Sequence, residues 1–138
     1  MKSRDTLIRL KRFQVDEKRR QVSQIETMIA EFTRMAADLD REIQAEQTRA
    51  GIHDVTHFAY PTYARAAGQR RDNLIRSADD MHGQLTDAQN ELAEAFEELK
   101  KVELLDERDQ ARDKSAEVRA DQQAMDTVAL QAHTRKAG

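Results

Sequence analysis

A chain of 138 residues with 36% charged and only 4% aromatic residues, four Gly, one Pro and no Trp is too polar for a conventional globular core. Such a mixture suits long solvated helices joined along a narrow apolar seam; without cysteine there is no disulfide framework or thiolate metal site, and no stretch has the length and apolarity to span a bilayer. The net charge of −3 hides an asymmetry, because residues 1–20 hold eight Lys or Arg against three acids while residues 78–113 hold twelve acids against four bases.

The first predicted element is a helix over about 3–50. Ile8, Val15, Val22, Ile29, Ala36, Ile43 and Ala50 recur every seven residues. At 38% apolar content, chance fills one such frame roughly once in a thousand. A second row three residues later holds Ile25, Phe32 and Leu39, with Lys11 and Lys18 breaking it near the N-terminus. Alternating spacings of three and four put both rows on one stripe, and a strict seven-residue period winds the helix around a partner. Ser3 is a candidate N-cap and Gly51 a candidate terminator. Arg9, Lys11 and Arg12 interrupt the short apolar cluster at this end, so nothing here reads as a signal peptide and a soluble cytoplasmic protein is expected.

The segment over about 51–60, with Ile52, His53, Asp54, Val55, Thr56, His57 and Phe58, has weak helix propensity and no heptad support, and reads as a turn. Pro61 is acceptable in a first helical turn, so a second helix is predicted over about 61–135. Its seam holds Ala67, Leu74, Met81, Ala88, Ala95 and Val102 in one row and Ala78, Leu85, Leu92 and Leu99 in the other, with Gly83 off the seam.

Two long helices and one short connection predict an all-α fold, a single domain over 1–138 built as a two-helix antiparallel coiled-coil hairpin. Folding back also lays the basic head beside the acidic stretch. Size complementarity suggests a register in which paired numbers sum to about 117, with a shift of one heptad as the alternative. Ile43 then meets Leu74, Ala36 meets Met81, Ile29 meets Ala88, Val22 meets Ala95, Phe32 meets Leu85, Val15 meets Val102 and Lys11 meets Asp106. On that register helix one runs out near residue 114, which leaves a C-terminal helical overhang from about 115. The seam changes phase there, with Asp106 and Asp109 in its expected positions and a new series in Leu104, Ala111, Val118, Met125 and Ala132. An amphipathic overhang of this kind is either frayed in isolation or built to dock on a partner, and docking is the favoured reading.

Little in the chain suggests chemistry. The glycines at 51, 68, 83 and 138 are isolated, so there is no phosphate-cradling loop, and no arrangement suggests a nucleophile. Acidic pairs such as Glu97 and Glu98 read as a solvated helical face. His53 and His57 are four apart and suit a metal only if that segment is helical; a polar hairpin tip is the plainer reading. No catalytic, cofactor or metal residue is assigned. Phe58, Tyr60 and Tyr63 cluster where the hairpin turns, either to staple the turn or to anchor a partner.

Three stretches resemble the FliJ family of the bacterial flagellar protein-export apparatus. They are Leu7-x-x-Leu10-x-x-Phe13 followed by Glu17, then Tyr60-x-x-Tyr63-x-x-x-Ala67, and near the end Glu117, Arg119, Asp121, Gln122, Met125 and Asp126 before Arg135-Lys136. Together with the hairpin they cover nearly the whole chain. The resemblance implies an antiparallel coiled coil similar to the rotor stalk of rotary ATP synthases, with no enzymatic activity of its own. It implies binding to the hexameric export ATPase, FliI, to the cytoplasmic domain of the export gate, FlhA, and to export chaperones, peripheral to the inner membrane at the flagellar base. Carried over by position, the gate-side residues are Tyr60, Tyr63, Ala67 and Leu74, and the ATPase-side residues are Leu7, Leu10, Val118 and Met125. Ala67 stands where the family usually has a larger aliphatic residue. Two other readings of the same residues are a generic or self-associating coiled coil and nucleic-acid binding through the basic head, with Arg70 and Arg71 as the adjacent arginines near the tip.

Overall fold

The computed structural model describes residues 2–52 and 60–137. Helix α1 runs Lys2–Ile52 and helix α2 runs Tyr60–Ala137, packed against each other as a two-helix hairpin. The chain forms two compact units, a terminal unit of residues 1–12 with 96–138 and a turn-side unit of residues 13–95. His53, His57 and Phe58 lie outside the described residues, as does the Tyr60 side chain.

Both helices outrun their expected bounds. Ser3 lies inside the first turn of α1 instead of capping it, and Asp5 supplies the negative charge that the helix N-terminus favours. Gly51 does not end α1 either: it is helical, without the positive φ of a C-terminal glycine cap, and Ile52 follows it in the helix.

The turn-side unit buries Val15, Ala36, Ala67, Ala78, Met81 and Ala88, with Val22, Ile25, Ile29, Phe32, Leu39, Ile43, Leu74, Leu85 and Leu92 half-buried around them. Among its described residues the terminal unit buries only Ile8 and Leu99, with Val102 half-buried. Every one of these belongs to the two seven-residue series, so the apolar seam predicts the core.

The register differs from the expected one by a full heptad. Lys11 donates to Glu98 at 2.9 Å and Arg4 to Asp106 at 3.4 Å in the terminal unit; Lys18 donates to Glu91 at 2.9 Å and Arg71 to Asp40 at 2.8 Å in the other. Paired numbers therefore sum to 109–111, not 117. Lys11 thus lies level with Leu99 while Arg4 takes Asp106. Phe32 falls opposite Ala78 and not Leu85, Ile29 opposite Met81, Ala36 opposite Leu74 and Ile43 opposite Ala67. A slip of seven keeps each apolar row facing an apolar row, so hydrophobicity alone does not choose. What favours the observed register is closure of the turn, since α1 leaves at Ile52 and α2 starts level with it at Tyr60. It also gives the bulkiest α1 seam residue, Phe32, a small buried neighbour in Ala78.

The overhang is correspondingly longer than expected. Asp109 is the last half-buried residue of α2, and every described side chain from 111 to 136 is exposed.

Candidate functional site

No polar or charged side chain is buried among the described residues, and none of their His, Asp and Glu side chains form a group of three able to hold a metal. No described helix is long and apolar enough to cross a membrane. What the structure offers to a partner is surface, and each unit carries one such surface.

In the terminal unit the surface is the overhang. Leu104 lies five positions beyond the buried Leu99, about 140° around the helix at ~100° per residue. With Val102 on the other side of Leu99, that direction points away from α1. Ala111, Val118, Met125 and Ala132 continue the series at seven-residue steps, each turning back by about 20°, so it starts on the face of α2 opposite the seam and winds slowly around the helix. Val118 is 57% and Met125 72% exposed. Val128 and Ala129 join Ala124, Met125 and Ala132 in a shallow apolar patch. The spacing 125, 128, 129, 132 is a helical one that the single-row reading passes over. Leu7 and Leu10 on α1 are also exposed, as are Leu105 and Phe96, with the Lys100 ammonium 5.2 Å from the Phe96 ring centroid.

The turn-side unit presents a different arrangement. Tyr63 is exposed and its hydroxyl donates to the Glu42 carboxylate at 3.4 Å. Desolvation, and then the Glu42 and Glu46 charges, hold its pKa above the usual phenol value. Ala67 is buried and Leu74 half-buried, because both sit in the seam row that faces α1. Of the gate-side residues described, Tyr63 alone offers a surface. Nearby, the small side chains of Ala36 and Ala78 leave an open groove of about 550 Å³ beside the exposed Ile75, rimmed by Asp72, Asp79 and His82. The sequence signal for it is an apolar residue one position off the seam next to a layer of alanines.

Three of the eight cations of the basic head pair across the hairpin and a fourth pairs within α1. Arg4 meets Asp106 and Asp109, Lys11 meets Glu98, Lys18 meets Glu91, and Arg19 lies 3.9 Å from Asp16. Arg71 bridges Asp40 and Asp72, and the hydrogen bond to Asp40 is the leading cause that raises its pKa. These pairs neutralise part of the charge that a nucleic-acid reading relies on.

A family model described as flagellar FliJ protein matches residues 1–138, the whole chain. No curated protein and no solved structure matches it.

Proposed function

The chain belongs to the flagellar FliJ family, and from that premise we propose that it is a non-catalytic coiled-coil stalk of the export apparatus. Its terminal unit docks on the export ATPase, FliI, and its turn-side unit contacts the cytoplasmic domain of the export gate, FlhA, at the inner-membrane side of the flagellar base. Export chaperones are further partners.

The observation that carries this reading is the overhang. A helix that continues from 111 to 136 with no packing partner, and with Val118, Met125 and Val128 exposed in a row, gains from covering that face. Leu7 and Leu10, exposed in the same unit, add to the ATPase-side surface. On the gate side Tyr63 supplies the exposed aromatic, with Tyr60 beside it in sequence, while Ala67 and Leu74 support the surface from within the seam.

Binding of the full chain and of a 1–110 truncation to the export ATPase of the same organism tests the proposal. Binding by the full chain and its loss on truncation is the expected result. Because a partner that binds the assembled ring favours assembly by mass action, addition of the chain should also raise ATPase oligomerisation and turnover. Equal binding by both lengths moves the contact to the paired arms, and no binding by either leaves a generic coiled coil.

A further inference from the structure

Arg4, Lys11 and Lys18 are seven residues apart and occupy the seam row that Ile25, Phe32 and Leu39 continue. In the terminal unit that row is therefore ionic. Arg4 holds Asp106 and Asp109, and Lys11 holds Glu98. Among the described residues, the only buried side chain that α1 contributes there is Ile8. Beside Ile8 the seam is open, in a cleft of about 240 Å³ lined by Asp5, Arg9, Arg12 and Asp106.

We infer that the first three turns of α1 form an electrostatic latch, which undocks from α2 as ionic strength rises and unmasks Leu99 and Val102 within an acidic frame. Three facts combine in it. The segment is the N-terminal end of α1, and a helix end frays unless packing holds it. That packing has one buried aliphatic residue where a full seam would have two rows. Much of the remaining hold is ionic and partly exposed, with Arg4 and Asp106 at 24% and 14% and Lys11 and Glu98 at 22% and 55% of side-chain exposure, so salt screens it. The turn-side unit, where six buried seam residues stand beside the Lys18–Glu91 and Arg71–Asp40 pairs, is less sensitive. The latch does not depend on any partner being correctly identified.

Hydrogen exchange of the full chain, followed by mass spectrometry between about 0.05 M and about 1 M NaCl, tests the latch. Amides of residues 4–12 should exchange about fivefold faster at high salt, while those of residues 21–48 change less than about twofold. Lys11→Leu, which faces Leu99 with an apolar side chain, should slow exchange in 4–12 and reduce its salt response to the part carried by the Arg4 pairs. Lys11→Glu should open the latch at low salt, and adding Glu98→Lys should close it again. A uniform salt response along both helices, or a Lys11→Leu chain that keeps the parent's salt response, overturns the inference. So does a Lys11→Glu chain as protected as the parent.

Discussion

Met81 shows what one seam residue contributes. It is 7% exposed and lies level with Ile29. In a thin two-helix interface there is no second layer to collapse into the space left by truncation. Met81→Ala should therefore cost about 2–3 kcal/mol, read as a lower urea midpoint at unchanged slope. Gly83 argues the other way. It is exposed in the middle of α2, and a Cβ there would meet nothing within 4 Å. Gly83→Ala removes unfolded-state entropy without a clash and should stabilise the chain by about 0.5–1 kcal/mol in the same titration. At this scale much was legible: Val15, Met81 and Leu99 are named as core by spacing alone. The gate-side positions Ala67 and Leu74 show the limit of carrying residues over by position. The heptad series already contains both, so position alone does not separate a seam role from a contact role.

At the scale of the helices, the sequence shows which faces meet but not which residues along them. A heptad slip leaves apolar rows facing apolar rows and offers the basic head acids in either register. The choice falls to turn closure and to how Phe32 is accommodated, which spacing does not encode. The observed register makes Lys11–Glu98 a rung, and its hydrogen bond to Lys11 is the leading cause that holds the Glu98 carboxyl below its usual pKa. A carboxylate with a depressed folded-state pKa contributes stability above its unfolded pKa and loses it as pH falls through the folded one. Acidification through the carboxylate range should therefore weaken the rung. The Lys11→Leu chain, whose Glu98 has lost that partner, should show a smaller stability loss between pH 7 and pH 3, measured by urea titration at each pH. Equal losses in the two chains would show that the rung carries none of the acid sensitivity.

For the whole molecule, the hairpin and its overhang answer to different demands, and that separation is testable. The phase change at Asp106 and Asp109 marks the overhang in the sequence; only its starting point depended on the register. From residue 111 onward no described side chain is withdrawn from solvent, so these residues add helix without adding burial. Area removed from water is the main stabilising term, and here it is absent. A chain ending at 110 should then unfold with the same thermal midpoint as the full chain, within about 2 °C. Its helical circular dichroism should fall only by the share of the missing turns. A large drop in midpoint would mean that the overhang folds back to cover the hairpin. Unchanged stability together with lost ATPase binding would mean that residues 111–138 serve contact alone. An exposed apolar face that does nothing for the fold is then retained for what it meets.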